Sequence, residues 1–337
     1  MSWAAVRAWR DLLADDIDAA PHAGLSTAGR RLAVTLALDA LHDEALAAVA
    51  AMPGEPFDRA TLVTARTVAT AALEWLAVLL GRGTAVTWKV PREAPGLSGW
   101  IAGHAQQVGL PLVVTPERAA VSDTPLVVVM GDDATVAAVR AAARPDARVL
   151  GFGHRFSLAW VDADLDPVTA AEALARDVAA HDTRGCLAPA VVLTPAPERL
   201  LGPLSSAMDT AQARWPRGEL WPAEHAALRA RDLLARATGQ LVAGEGWRVH
   251  VLPPDQADPV ARPRAVQLVA LPDVDAARSW LAPWRDVLST VASGLPPGAP
   301  SVALDAPRRC RLGELQAPPL QRWHDGVDHL RLTLRAG

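Results

Sequence analysis

Apolar residues recur at helical spacing through the first eighty positions. Leu32, Leu36 and Ala40, then Leu46 and Val49, predict helices that stop at Met52-Pro53-Gly54. Val68–Leu80 predicts another, ended by Gly81-Arg82-Gly83. The period then changes. Ala85–Trp88, Leu112–Thr115 and Leu126–Met130 are short apolar runs; the last two are continuous rather than alternating, as in buried strands. Helical patterns separate them, at Leu97–Val108 before Gly109 and at Ala134–Ala143 after a turn at Gly131. Arg148–Gly151 and Ser157–Val161 predict strands. Asp166 is placed to cap a helix whose first position, Pro167, has no N–H to lose, and the pattern runs to about His181. A strand at Ala190–Thr194 follows, then helices around Glu198–Trp215 and Ala223–Thr238. Strands at Trp247–Leu252 and Ala265–Leu271 precede a helix from Asp275 to Ser293. Proline-dense stretches at 253–263 and 295–300 are surface connections. This β-α-β alternation predicts a doubly wound α/β fold.

Length allows about two domains in 337 residues. A net charge of -4 argues against nucleic acid as the main partner. The start, Met1–Arg10, has no apolar stretch of the signal-peptide kind, so a cytoplasmic protein without a membrane span is expected. The residue inventory excludes more. There is no tyrosine and no asparagine, and Lys89 is the only lysine among 33 basic residues. Dehydrogenases built on a Tyr–Lys pair are therefore ruled out, as are N-glycosylation and any oxyanion hole made with an Asn side chain.

Two cysteines, Cys186 and Cys310, make neither a disulfide framework nor a zinc cluster. Cys186 follows Arg184-Gly185 at a helix-to-strand turn, where a nearby guanidinium would favour the nucleophilic thiolate. A small buried hydrophobe is the competing assignment, and it suits Cys310 better. His181 is five residues from Cys186, at the end of its helix. His324 and His329 straddle Asp325 but lack the third ligand of a metal site, so no metal is expected. Gly131-Asp132-Asp133 ends a buried strand and opens a helix. Backbone N–H groups there would suit a pyrophosphate, and an acidic cap on an ordinary turn fits the pattern as well.

In order, residues 84–194 resemble the aldehyde dehydrogenase superfamily, and within it the LuxC-type acyl-CoA reductase branch. Gly81-Arg-Gly-Thr-Ala-Val-Thr-Trp-Lys89-Val-Pro91 resembles the strand ending in a cofactor-binding Lys-Pro. Val127-Val-Val-Met-Gly131-Asp132 resembles the strand and turn under the dinucleotide. Leu150-Gly151-Phe152-Gly153 resembles the Leu-Glu-Leu-Gly-Gly segment, and Val161-Asp-Ala-Asp-Leu-Asp166 matches an Asp-Ala-Asp-Leu-Asp stretch. Asp182-Thr-Arg-Gly-Cys186-Leu-Ala-Pro189 looks like the nucleophile loop, and the tail from Leu312 to Gly326 also resembles that branch.

The resemblance implies an aldehyde-dehydrogenase-like fold: a Rossmann-like cofactor domain over 1–160, with a shortened N-terminus, and a catalytic α/β domain over 161–310 carrying Cys186. A tail, 311–337, would return to the first domain. It implies NADPH-dependent reduction of an acyl thioester, on CoA or an acyl-carrier protein, to an aldehyde through an acyl-cysteine. Oligomers and an acyl-transferring partner protein are compatible with it. The cofactor contacts implied are Lys89, Arg92, Gly131, Asp132 and Gly153. Arg92 stands where NAD-preferring members carry Glu, which favours NADPH over NADH. Gly151 replaces the Glu that activates water in aldehyde oxidisers, which favours reduction over hydrolysis. Thr67, beside Arg66, falls at the position of the oxyanion Asn. Two alternatives remain at this stage: a cysteine acyltransferase or hydrolase without nicotinamide, and a non-catalytic partner subunit.

Overall fold

The computed structural model describes residues 2–21, 24–65, 68–91, 95–295, 298–302 and 304–335. The chain divides into two units. The first comprises 1–23, 33–154 and 319–337, and the second 24–32 and 155–318. The divide falls at Arg155 rather than after residue 160, because the strand beginning at Phe156 hydrogen-bonds within the second sheet. Residues 311–318 also belong to the second unit, where Leu312 and Leu315 join its core.

The first unit begins with α1 (Ser2–Asp15), the latter part of α2 (Thr27–Asp39) and α3 (Asp43–Ala50). A strand-helix series follows: β1 (Arg59–Val63), α4 (Ala72–Gly81), β2 (Ala85–Lys89), α5 (Pro95–Gln107), β3 (Leu112–Thr115), β4 (Leu126–Met130), α6 (Asp133–Ala142) and β5 (Arg148–Phe152). The strands form a parallel sheet in the order β3-β2-β1-β4-β5. The order reverses direction between β1 and β4, which places a ligand crevice outside the carboxyl ends of those two strands. The sequence pattern assigned residues 1–80 to helix and so missed β1, a central strand. Arg59-Ala-Thr-Leu-Val63 is buried at four of its five positions and has no alternation to reveal it.

The second unit contains β6 (Phe156–Trp160), α7 (Pro167–Ala179), β7 (Pro189–Thr194), α8 (Pro197–Arg214), α9 (Pro222–Thr238), β8 (Gln240–Gly244), β9 (Trp247–Leu252) and β10 (Ala265–Ala270). It closes with α10 (Val274–Leu281), β11 (Leu288–Ser293) and β12 (Arg308–Cys310). The sheet order is β12-β11-β6-β7-β10-β9-β8, with only β8 antiparallel to its neighbour. Asp166 caps α7 by accepting from Thr169 N at 2.9 Å, with Pro167 at its start. The helix expected over 275–293 is instead α10 followed by a 3-10 turn and the fully buried β11. Pro283, inside that turn, removes a helical N–H and ends the helix.

The tail closes the first unit. Its short helix α11 (His329–Leu332) follows Leu320, and both Leu320 and Leu330 enter the core beside α4 and β2. Arg322 binds Glu74 with two hydrogen bonds of 2.6 and 2.9 Å. Arg82 donates to Leu330 O at 2.6 Å, and Gln321 to Ala45 O at 3.1 Å. No helix among the described residues is long and apolar enough to cross a membrane.

Candidate active site

The link from α7 to β7 carries Cys186, and its backbone is unusual. His181, Asp182 and Thr183 have φ of 54°, 52° and 59°. Asp and His enter this left-handed region as isolated residues, but for a β-branched residue such as Thr183 it is an outlier, at a cost of about 1–2 kcal/mol. Three in succession persist only where surrounding contacts fix them.

The contacts converge on Asp182, which is fully buried. Its Oδ1 accepts from Arg264 Nε at 2.6 Å and its Oδ2 from Gly218 N at 2.9 Å. Its carbonyl accepts from Arg264 N at 3.2 Å. Thr183 Oγ1 donates to Val178 O at 2.9 Å. Arg264, equally buried, is itself at φ 49° just before β10.

Beyond this turn the chain is held twice more. Ala188 N donates to Gly185 O at 3.1 Å, and Ser157 Oγ on β6 donates to Cys186 O at 2.7 Å. Both peptide planes flanking Cys186 are therefore fixed. Because a trans peptide sets its N–H opposite its C=O, the direction of the Cys186 N–H is fixed too. The Cys186 side chain is exposed. Cys310 contrasts with it: buried on β12, its thiol is pushed up by burial to about 12. Of the two thiols, Cys186 is the exposed one.

Arg184 does not stand as an unshared cation beside the thiol, as the sequence suggested. Its guanidinium grips Glu224 with bonds of 2.7 and 2.8 Å, donates to Gly24 O at 2.9 Å, and lies over the Trp221 ring. Glu224 in turn accepts from Trp221 N at 2.9 Å at the start of α9. Arg184 thus ties the Cys186 loop to that helix. His181 is buried, and desolvation pushes its imidazole down to about 4, so it is neutral at neutral pH.

Within the first unit, Lys89 ends β2 and is half-buried, beside Val63 and Thr115 in the register of the neighbouring strands. Gly131 follows β4, and Asp132 caps α6 by accepting from Thr135 N at 2.6 Å. That hydrogen bonding, with the Thr135 side chain first and its backbone second, holds the Asp132 carboxyl below its ordinary range. Asp133 Oδ1 accepts from His154 N at 3.0 Å, directly after Gly153. Gly151, on β5, has no room for a side chain: a Cβ there would come within 2.6 Å of Val136 Cγ1.

These residues fit a dinucleotide. Gly131 and Gly153 let the backbone lie close against Thr135 and Asp133 at the carboxyl ends of β4 and β5, a lone lysine ends β2, and the Asp132 carboxylate is spent as a helix cap. Thr67 with Arg66, and Arg92, lie outside the described residues. Among the described residues no cluster of three or more His, Cys, Asp or Glu is arranged to hold a metal ion. Sequence reasoning missed Asp182, Arg264 and Ser157. Asp182 opens the loop Asp182–Pro189, but its partner is 82 residues away in a proline-rich connection that gave no local signal.

The model of the LuxC acyl-CoA reductase family matches residues 116–335. Among solved structures, the aldehyde dehydrogenase KauB from Pseudomonas aeruginosa is similar at a TM-score of 0.75 and 17% identity, covering 92% of this chain and 75% of that one. An NAD-dependent aldehyde dehydrogenase from Sinorhizobium meliloti gives 0.74 at 16% identity, over 92% and 75%. The NADP-dependent glyceraldehyde-3-phosphate dehydrogenase from Bacillus halodurans, complexed with NADP, gives 0.65 at 15%, over 86% and 72%. At such identities the likeness is one of fold: the chain has the aldehyde dehydrogenase architecture. No curated protein matches the sequence.

Proposed function

This chain belongs to the LuxC acyl-CoA reductase family, and from that premise we propose that it reduces an acyl thioester to an aldehyde with NADPH, by way of an acyl group carried on Cys186. The observation that carries the proposal is the presentation of Cys186: an exposed thiol on a backbone fixed on both sides, in a protein whose other thiol is buried. Cys186 Sγ attacks the thioester carbonyl, its own proton being lost. The bond to the carrier sulfur breaks, and the carrier leaves as its thiol after taking up a proton. The Cys186 N–H, with its direction fixed, is the donor for the oxyanion that forms. Thr67 is a second candidate by sequence position.

A nicotinamide cofactor, when bound, supplies hydride to the acyl carbon. Cys186 then departs as thiolate and the aldehyde is released. Lys89, the Gly131 turn, Asp132 and Gly153 would hold the dinucleotide. The preference for NADPH rests on Arg92 in the sequence alone. Gly151 supports reduction over hydrolysis, since a water-activating carboxylate at that position has neither residue nor space here.

The test is incubation with acyl-CoAs of several lengths and NADPH. Thioester-dependent NADPH oxidation with aldehyde formation, lost in Cys186→Ala, is the expected outcome. Thioester consumption without NADPH would mean a hydrolase or acyltransferase instead. NADPH oxidation equal in wild type and Cys186→Ala would sink the proposal.

A further inference from the structure

We propose that Arg264 is a positioning residue for Cys186: through Asp182 it holds the left-handed turn 181–183 in the one path that presents the thiol. The inference rests on Cys186 being the nucleophile. Three observations carry it.

The turn is not a local preference. His or Asp alone can adopt positive φ, but the β-branched Thr183 rarely does, and three consecutive left-handed residues do not form from local preference. Something distant must impose the path.

Arg264 is that element. It supplies two of the contacts on Asp182, one to the carboxylate at 2.6 Å and one to the carbonyl at 3.2 Å. One residue therefore fixes both the side chain and the peptide plane of the turn's central position. Arg264 is anchored in its own right: its carbonyl accepts from Arg248 N at 2.9 Å, and its guanidinium donates to Trp215 O. A buried ion pair adds little net stability over an apolar pair of equal volume. Fold stability alone is a poor reason for this one.

The turn is coupled to the thiol by a short, tethered path. Only Arg184 and Gly185 lie between Thr183 and Cys186, and Arg184 is clamped to Glu224 while Gly185 O is bonded to Ala188 N. A turn that relaxed to negative φ would redirect Cys186. A misplacement of about 1 Å from a reacting centre can cost about 100-fold in rate.

The experiment compares wild type, Arg264→Ala and Asp182→Asn as full chains, in two measurements made without nicotinamide. The first follows acylation of the Cys186 peptide by hexanoyl- and tetradecanoyl-CoA, using mass spectrometry. Alkylation of the same thiol by iodoacetamide, which tolerates many approach angles, is measured alongside. We expect acylation to fall about 100-fold in Arg264→Ala and about tenfold in Asp182→Asn, where Asn tolerates the left-handed region. Alkylation should change less than about threefold in both. A ratio of acylation to alkylation within about twofold of wild type in both variants overturns the proposal.

The second measurement is hydrogen exchange of the segment 180–188, where at least about tenfold faster exchange is expected in Arg264→Ala. Unchanged exchange there also overturns the proposal. If wild-type Cys186 accepts no acyl group, the functional reading fails and exchange alone judges the clamp. If Arg264→Ala does not fold, Asp182→Asn is judged by the same ratio and the same exchange.

Discussion

Cys186 and Cys310 carry the same side chain into opposite surroundings, and their chemistry should separate accordingly. Burial takes the Cys310 thiol up to about 12, so at pH 8 almost none of it is thiolate. A thiol reagent should titrate one fast cysteine in the native protein and two in denaturant. Cys310→Ala should leave that fast phase intact, and Cys186→Ala should remove it. Gly151 offers a second test at this scale. Because its missing Cβ would meet the branched Val136, Gly151→Glu should destabilise the protein by about 1–3 kcal/mol without adding thioesterase activity. Urea unfolding and an acyl-CoA hydrolysis assay would check both halves. The sequence made Cys186 legible because its neighbours follow a known loop. It hid the left-handed run before it, since Thr183 disfavours positive φ, His and Asp adopt it mostly singly, and Arg264 lies far along the chain.

At the scale of elements, reading succeeded where period and punctuation agreed and failed where burial erased the period. β4 and β7 stood out as apolar runs between turns, and α7 declared its start with Asp166-Pro167. β1 was lost inside a helical neighbourhood because its positions after Arg59 are all buried. β11 was lost because the helical pattern from Asp275 was carried on to Ser293, although Pro283 and the exposed charged pair Arg285-Asp286 marked the break. The start of α6 carries a prediction of its own. Asp132 serves the helix as a cap but brings a negative charge to the turn where a pyrophosphate would lie. Asp132→Ser keeps a capping hydroxyl and removes the charge. It should tighten NADPH binding severalfold with little change in melting temperature, as read by calorimetry and thermal unfolding. Tightening that is absent at low salt would remove this turn from the cofactor site.

For the molecule as a whole, buried groups shifted by desolvation set the response to pH between about 4 and 7. Burial raises Asp177 to about 7, so the fold keeps its proton where the unfolded chain loses it near 4. Through that window the folded state holds the extra proton, and this contribution to stability falls as pH rises. Burial lowers His181 and His329 to about 4, while the unfolded chain protonates them below about 6.5. Their contributions rise with pH across the same window. His250, which burial also lowers, adds in the same direction. At least two rising against one falling leaves a net gain of at least about 1.4 kcal/mol per pH unit between about 4.5 and 6. The urea midpoint should climb over that range and level near 6.5, and Asp177→Asn should steepen the climb. Glu74 lies outside this window. Burial alone would raise it, but Arg322 and His324 overcome that and hold it well below the carboxylate range. Arg322→Ala, which strands that buried carboxylate, should cost about 3–5 kcal/mol in the same unfolding measurement.

The return of residues 319–335 to the first unit also has a meaning in time. Trp75 on α4 packs against His324 and His329, and Leu320 and Leu330 complete the core begun by Val6 and Trp9. A ribosome makes all of residues 155–318 before it makes those partners. At about 5–20 residues per second, the first-made unit waits roughly ten to thirty seconds with one side of its core open. The unit whose synthesis begins first is therefore the one whose core is completed last. Through that interval it is a client for any chaperone that binds exposed apolar surface.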